Sequence, residues 1–207
     1  MPSQFLNPYV RFINASPDKG RVSFYVNDEE FFVDFPFGEI SGYKQIPSGQ
    51  VTFRAVWNDG GENIIYTLQS NVSAGDVQTI ALAGESERRT LIRINDVAPK
   101  NNFKASNLRV ANLVSDYDGF DVYANGFLIL EDIEFPEVSD YILLRPNVYT
   151  FKINSEDGND TVLSTGNQEL LERRYYTLYI IGAAEGEGEP IKAIFATDAM
   201  SYEGQYL

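Results

Sequence analysis

The segment Asp116-Tyr117-Asp118-Gly119-Phe120-Asp121 carries the side chains best suited to chemistry in this sequence. Three carboxylates around a glycine turn offer the hard oxygen ligands that Ca²⁺ prefers. The EF-hand pattern also needs a glutamate six residues after the glycine, where this chain has Asn125. We therefore expect an acidic turn between strands. The hypothesis that Asp116, Asp118 and Asp121 bind a cation stays open, and no metal ligand is assigned.

Two residue types that carry much of enzyme chemistry are absent from the chain. It has no histidine, which excludes Ser-His-Asp catalysis and His-ligated metal sites. It has no cysteine, which excludes thiolate nucleophiles, iron–sulfur clusters and disulfides. Among 30 acidic residues, a pair of carboxylates suited to glycoside hydrolysis is expected by chance alone. No nucleophile–base set can be named, so we expect no enzymatic activity, no catalytic residue and no cofactor.

Two further loops carry chemistry-bearing residues in a less suitable pattern. The segment 156–160 is acidic, and the segment 185–190 alternates glutamate with glycine before a proline. A phosphate cradle needs backbone amides at the start of a helix and usually a lysine, whereas three glutamates repel phosphate. Both segments are therefore interpreted as loops between strands.

The net charge of −14 limits the partners of the chain. Such a surface repels nucleic acid and anionic lipid, so we expect neither as a partner. The longest strongly apolar stretch, 175–184, is far shorter than the ~20 residues of a membrane helix, so we expect no membrane insertion. Residues 1–8 have neither a basic region nor an apolar core, so they are not a secretory signal. Either the protein is not exported by that route or a leader has been removed.

An internal repeat organises the elements that must position these residues. When the sequence is shifted by 98 positions, residues 11–53 align with 109–151 without a gap and share twelve identities. The same shift aligns Thr79 with Thr177 and Gly84 with Gly182. A period near 100 residues fits one small sandwich domain. We therefore predict two domains, 7–98 and 105–207, joined by a polar linker at 98–102.

The spacing of apolar residues predicts β-strands in both repeats. Alternate residues of 22–26 and of 120–124 are apolar, as in half-buried strands. The dipeptides Asn27-Asp28 and Asn125-Gly126 follow directly and favour two-residue hairpins. Further strands are expected at 51–57, 64–68, 77–83 and 91–94, and at 149–153, 161–163, 175–181 and 191–196. The helix-like window 167–174 is expected to be a strand edge or a single turn.

The motifs of the first repeat resemble those of the bacterial family called domain of unknown function 4397. The resemblance rests on Arg11-Phe12-Ile13-Asn14-Ala15-Ser16-Pro17-Asp18, on Val22-Ser23-Phe24-Tyr25-Val26-Asn27, and on 35–43 followed by 46–49. The second repeat carries the pattern in weaker form. The resemblance implies Ig-like β-sandwich domains, often in tandem and mostly in exported or surface proteins, and it implies no activity. The family often has histidine where this chain has Asn14 and Asn112.

The residues that carry the resemblance have structural interpretations. Asn14 and Asn112 are expected to satisfy backbone groups where a strand ends. Tyr43 and Tyr141 are candidates for a corner tyrosine whose hydroxyl bonds the main chain. Arg11 and Arg109 are interpreted as arginines on an exposed strand face; the alternative is that they pair with carboxylates such as Glu39 and Glu137.

The aromatic residues are the remaining candidates for binding. Most are expected in the two cores, including a group in corresponding strands: Phe31, Phe32, Phe35, Phe37, Phe127 and Phe135. Outward rings could stack on sugars or form a protein interface; the candidates are Tyr25, Tyr43, Tyr123, Tyr141 and Trp57.

The sequence as a whole predicts two tandem Ig-like antiparallel β-sandwich domains that form a non-catalytic binding or structural module. Its partner is expected to be a protein or polysaccharide of the cell envelope. A carbohydrate-binding module is the main alternative, and a carboxylate-based hydrolase is less favoured. The resemblance implies an extracellular or envelope location, whereas a genuine lack of a secretory signal implies the cytoplasm. The oligomeric state is open.

Overall fold

The computed structural model of the protein describes residues 7–18, 20–58, 63–98, 104–156, 158 and 160–202. The chain forms two compact units, one that ends at Val97 and one that runs from Ala98 to Tyr202. The predicted fold class, two all-β units in tandem, is confirmed. The boundaries 7–98 and 105–207 stay predictions, and residues 99–103, which include most of the predicted linker, lie outside the described residues.

The first unit consists of two four-stranded sheets. Its strands are β1 (Tyr9–Asn14), β2 (Val22–Val26), β3 (Glu29–Phe35), β4 (Lys44–Gln45), β5 (Gly49–Trp57), β6 (Ile64–Val72), β7 (Val77–Ala83) and β8 (Thr90–Asn95). One sheet has the order β4-β1-β7-β8 and the other the order β3-β2-β5-β6. A short 3-10 turn at Ser86–Arg88, absent from the sequence-based prediction, lies between β7 and β8.

The second unit repeats this arrangement with two strands interrupted. Its strands are β9 (Ser106–Asn112), β10 (Phe120–Ala124), β11 (Phe127–Ile133), β12 (Ile142–Leu144), β13 (Asn147–Tyr149), β14 (Phe151–Ser155), β15 (Thr161–Ser164), β16 (Gln168–Leu170), β17 (Tyr175–Ile181) and β18 (Lys192–Thr197). The sheets are β12-β9-β17-β18 and β11-β10-β14-β15, with β13 and β16 as a separate pair. The window 167–174, predicted to be a strand edge or a single turn, contains strand β16 and then a turn at 172–173. A 3-10 turn at Ala199–Tyr202 ends the described chain.

One pair of strands in each unit departs from the predicted antiparallel pattern. Strand β1 runs parallel to β7, and β9 runs parallel to β17. The two strands of each pair are far apart in the chain, so no hairpin forces them to run in opposite directions. Every residue of β7, β9 and β17 is buried, so both faces of these central strands are covered.

The two predicted hairpins form where the sequence places them. Asn27 and Asn125 both have positive φ, 56° and 48°, which a two-residue hairpin of this kind requires. Each asparagine also reaches across to the neighbouring strand, where its Oδ1 accepts the amide of Thr52 or Thr150 at 3.0 and 2.9 Å. The side chain therefore fixes the turn and its register against the next strand at once.

The core of each unit lies between its two sheets. In the first unit Phe12 packs against Phe24 and Phe53, with ring centroids 4.7 and 6.1 Å apart. In the second unit the equivalent layer contains Phe120, Phe151 and other fully buried apolar residues. Burial of each such side chain contributes roughly 1.5–3 kcal/mol. These layers hold the strands whose outer and edge positions carry the candidate sites.

No helix in the described part of the chain is long and apolar enough to cross a membrane.

Candidate functional site

A cluster of four polar side chains lies beside the sheet that contains β1 and β7; three of them are buried and the tyrosine is half-buried. Nε of Arg11 donates to Oγ1 of Thr79 at 2.7 Å, and that hydroxyl donates to Oδ2 of Asp96 at 2.6 Å. The same carboxylate oxygen accepts the hydroxyl of Tyr43 at 2.8 Å. The guanidinium carbon of Arg11 lies 4.6 Å from the centre of the Tyr43 ring. The carboxylate of Asp96, directly after β8, thus joins β1, β7 and the segment before β4.

The second unit contains the same cluster built from equivalent residues. Arg109 donates to Thr177 at 2.8 Å, and Thr177 donates to Asp198 at 2.6 Å. Tyr141 donates to the same oxygen of Asp198 at 2.7 Å, and its ring lies 4.7 Å from the guanidinium of Arg109. Because both repeats have kept all four residue types, the cluster belongs to the structural unit that was duplicated.

These clusters correct two sequence-based interpretations. Arg11 and Arg109 do not lie on an exposed strand face, since they are only 3% and 4% exposed. Their carboxylate partners are Asp96 and Asp198, at 3.9 and 3.6 Å, rather than Glu39 and Glu137. The expectation was wrong because alternation along a strand gives the face of a residue but not whether other parts of the chain cover that face.

The tyrosines form a related correction. The hydroxyls of Tyr43 and Tyr141 bond carboxylates, not the main chain as predicted. By contrast, Asn14 and Asn112 do satisfy the main chain as predicted, since their side-chain amides donate to the carbonyls of Phe35 and Ile133. Polar side chains at the strand ends thus hydrogen-bond separate segments of each unit to one another.

The chemistry available to the buried clusters is limited by burial. A threonine hydroxyl bonded to a carboxylate resembles an activated nucleophile, but a nucleophile must reach its substrate. Thr79, Thr177, Asp96 and Asp198 are all completely buried. Each group is also bonded within its own cluster, which suits a structural role.

The three carboxylates of the candidate cation loop do not share one site. Asp116 accepts the backbone amides of Ala184 and Glu185 at 2.9 and 3.0 Å, which fastens the loop before β18. Asp121 accepts the backbone amide of Asp132 at 3.1 Å, and Asp118 is exposed. Within the described ranges no group of three or more acidic side chains is placed to hold a metal ion. The loop 156–160 lies partly outside the described residues.

The five candidate outward aromatic rings are all partly buried. Tyr43 and Tyr141 belong to the buried clusters, and Tyr25 donates to Glu30 at 2.9 Å. Trp57 packs against the first core, with the guanidinium of Arg89 5.4 Å from its ring centre. None of the five candidate rings is among the exposed large apolar side chains.

The most exposed aromatic residue of the described chain was expected to be buried. The sequence predicts Phe127 in the core, but it is 77% exposed at the start of β11. Its neighbour Leu128 is 41% exposed. The equivalent residues of the first repeat are Glu29 and Glu30. Comparison of the two repeats at this position is the observation from which the exposure of Phe127 could have been predicted.

The far end of the same strand also differs between the units. In the first unit Asp34 binds Arg21, with Oδ1 2.6 Å from Nε, and Asn58 donates to it at 2.9 Å. The hydrogen bonds from Arg21 and Asn58 hold the pKa of Asp34 below its usual value. In the second unit the aspartate is kept as Asp132, but Gly119 occupies the position of the arginine.

Comparison with known proteins identifies related sequences but no function. The family described as Domain of unknown function (DUF4397) matches residues 8–113 and again residues 106–203. No curated protein matches the chain.

Two solved structures show weak similarity. One, from Bacteroides ovatus ATCC 8483, is provisionally assigned to cell adhesion; it is 11% identical, with a TM-score of 0.31 and coverage of 94% of this chain and 97% of that one. The other belongs to a study of α-glucan recognition by family 41 carbohydrate-binding modules from streptococcal virulence factors. It is 13% identical, with a TM-score of 0.29 and coverage of 83% and 92%. At these scores neither likeness assigns a ligand to this chain.

Proposed function

The chain belongs to the DUF4397 family across both of its repeats, and on that premise we propose that it is a non-catalytic binding module for a protein partner at the cell envelope. The proposal rests on where the polar and the apolar side chains lie: bonded polar groups lie inside the units and apolar groups lie on the surface. Arginine, threonine, aspartate and tyrosine form two internally bonded clusters whose threonine–aspartate pairs are completely buried, whereas most of the exposed large apolar side chains in the described ranges lie on strands. A surface of that kind suits recognition rather than turnover.

Among the residues that the structure describes, the second unit carries most of the exposed large apolar side chains. It contributes Phe127, Leu128, Leu143, Val148 and Leu171, whereas the first unit contributes Val33, Ile64 and Tyr66. Scattered exposed apolar residues are ordinary on a protein surface. Two adjacent ones at the start of an edge strand, as at Phe127 and Leu128, favour a contact with another polypeptide.

Protein recognition is favoured over sugar recognition by the aromatic residues. A sugar platform needs exposed ring faces, but the five candidate rings are all partly buried, and Tyr43 and Tyr141 are also bonded to carboxylates. Six of the eight exposed large apolar side chains in the described ranges are aliphatic, and the other two are Tyr66 and Phe127. Aliphatic groups bury well against apolar peptide side chains and offer no π-face to a sugar ring.

The proposal is tested by offering three kinds of probe to the same purified protein. A displayed library of random peptides, a glycan array, and a set of chromogenic esters and glycosides cover the three hypotheses. We expect saturable enrichment of peptide clones, no retained glycan and no release of chromophore. Glycan binding without peptide binding, or turnover of any chromogenic substrate, would overturn the proposal, as would a failure of all probes to bind.

A further inference from the structure

Strand β11 is the outermost strand of its sheet, and it differs from its counterpart β3 in what it offers to another chain. An edge strand presents unpaired backbone N–H and C=O groups that can template a further strand. Proteins usually block such edges with charged side chains, lysine in particular. The two units of this chain treat the same edge in opposite ways.

In the first unit three charged side chains, Glu29, Glu30 and Lys44, lie at this edge. Glu29 and Glu30 begin β3, and both are exposed. Nζ of Lys44 donates to the carbonyl of Phe31 at 2.9 Å and lies 4.3 Å from the ring centre of Phe32. A backbone acceptor of the edge strand is thus already occupied by a lysine.

In the second unit apolar residues replace all three of these charged side chains. Phe127 and Leu128 stand where Glu29 and Glu30 do, and Ile142 stands where Lys44 does. Phe127 and Leu128 are exposed, and the two residues that follow are half-buried. The start of this edge therefore carries an apolar surface beside backbone groups that face away from β10, whereas at its end the amide of Asp132 already donates to Asp121.

The charge at the far end of β11 indicates what kind of chain fits there. Glu131 and Asp132 are exposed, where the first unit has Val33 and an Asp34 that is paired with Arg21. Since Gly119 replaces that arginine, Asp132 has lost the equivalent cation. A Cβ at Gly119 would lie 2.0 Å from Oδ1 of Asp132, so the carboxylate packs directly against the glycine. The edge is thus apolar at its start and acidic at its end. The arginine that pairs with the aspartate in the first unit has no equivalent here.

We propose that β11 accepts an extended peptide segment as an added strand, with apolar residues beside Phe127 and Leu128 and lysine or arginine beside Glu131 and Asp132. This inference rests on the proposed function and names its surface and its class of partner. Main-chain hydrogen bonds would supply affinity, and the side chains would supply register. A second copy of the chain fits less well, because an antiparallel β11 brings no cation and each chain carries a net charge of −14.

The test uses labelled heptapeptides and fluorescence anisotropy with the full chain. The probe KKVTVTV places two lysines before an alternating β-forming segment, in the order required for antiparallel addition. Its controls are EEVTVTV, which reverses the charge, and KKVPVTV, in which proline removes a backbone donor. We expect saturable binding of the first peptide and at least tenfold weaker binding of both controls.

Matched variants test whether the probe binds at β11. The double variant Phe127→Glu and Leu128→Glu installs the charges of the first unit, and we expect it to bind the probe at least tenfold more weakly. Glu29→Asp with Glu30→Asp, which keeps both charges on the other edge, is the control and should leave binding unchanged. Glu131→Gln with Asp132→Asn should weaken binding severalfold and reduce its dependence on salt. Unchanged thermal unfolding of each variant shows that the fold is intact.

Four results would overturn the inference. They are no binding of KKVTVTV, equal binding of the proline peptide, binding unaffected by the β11 variant, and a concentration-dependent dimer that Leu128→Glu abolishes. The third result, together with peptides recovered from the displayed library, would leave the proposed function standing and remove only this site. A library that yields no peptide at all would remove the proposed function itself.

Discussion

Tyr141 donates its phenolic hydrogen to Asp198, 57 residues further along the chain, at 2.7 Å. The same carboxylate oxygen accepts Thr177 and lies 3.6 Å from Arg109. One buried acceptor therefore joins the start, the middle and the end of the second unit. Its equivalent in the first unit, Asp96, does the same.

Removing the carboxylate should destabilise the second unit more than removing the phenol. Asp198→Ala leaves Arg109 buried without its counter-charge, so we expect a loss of about 3–5 kcal/mol in the free energy of unfolding. Tyr141→Phe removes one hydrogen bond to a charged group and should cost about 1.5–3 kcal/mol. Urea unfolding monitored by a probe in each unit measures both effects.

The first unit supplies the control for this comparison. Tyr43→Phe should reduce the stability of the first unit by an amount similar to that of Tyr141→Phe, because the two hydroxyl bonds have nearly the same length, 2.8 and 2.7 Å. Equal losses for Asp198→Ala and Tyr141→Phe would contradict the idea that the carboxylate is the centre of the cluster.

The parts of the fold that depend on local sequence could be predicted. Asn125-Gly126 encodes its hairpin within two residues, and the alternating residues of β5 show the predicted alternation of burial. The 98-residue repeat predicted two units because it needed only the order of residues along the chain. The hairpin and the strand depend on neighbours in sequence, and the repeat can be found by comparing the sequence with itself.

The buried clusters could not be predicted in the same way because their members are distant in sequence. Asp96 and Asp198 are equivalent in the fold but differ by 102 positions rather than 98, because the loop before β18 is longer than the loop before β8. A gap-free shift therefore does not align them. The burial of Arg11 depends on packing over the outer face of its sheet, which the alternation of one strand does not encode.

Acid should remove a contribution of the Arg21–Asp34 pair to stability. Because the folded-state pKa of Asp34 is lowered by Arg21 and Asn58, its contribution is present above the unfolded pKa, about 3.9, and is lost as the pH falls through the lowered pKa. Arg21→Gln should raise the pKa of Asp34 and reduce this loss of stability below about pH 4. Carboxyl ¹³C NMR titration follows the pKa directly, and urea unfolding at acidic and neutral pH follows the stability.

An arginine from a different ion pair provides the control. Arg54→Gln breaks the contact with Asp28 at 3.2 Å and should leave the titration of Asp34 unchanged. If Arg21→Gln also left that titration unchanged, the arginine would not be the group that lowers the pKa.

Gly182 should tolerate a side chain less well than Gly126, although both have positive φ. A Cβ at Gly182 would lie 2.5 Å from the carbonyl oxygen of Pro190, whereas a Cβ at Gly126 meets nothing within 4 Å. Gly126→Ala therefore bears only the cost of its backbone conformation, about 1–2 kcal/mol. Gly182→Ala adds a steric overlap of about 1–3 kcal/mol. In urea unfolding, Gly182→Ala should therefore lose more stability than Gly126→Ala.

The aligned glycine of the first repeat checks the steric explanation. A Cβ at Gly84 would lie 2.5 Å from the carbonyl oxygen of Arg88, so Gly84→Ala should destabilise the first unit as strongly as Gly182→Ala destabilises the second. Losses no larger than that of Gly126→Ala would show that the loops move aside without cost.

Gln78 carries the clearest unmet polar group of the first core. Its side chain is 1% exposed, and neither Nε2 nor Oε1 has a hydrogen-bond partner in the described part of the chain. The residue aligned with it, Tyr176, does use its hydroxyl, which accepts the backbone amide of Leu171 at 3.1 Å. Because an unsatisfied buried amide costs about 1–3 kcal/mol, Gln78→Met, which keeps the shape, should raise the free energy of unfolding by about that amount. Tyr176→Phe should lower it by about 1 kcal/mol, and a Gln78→Met variant less stable than the parent protein would show that the amide is bonded after all.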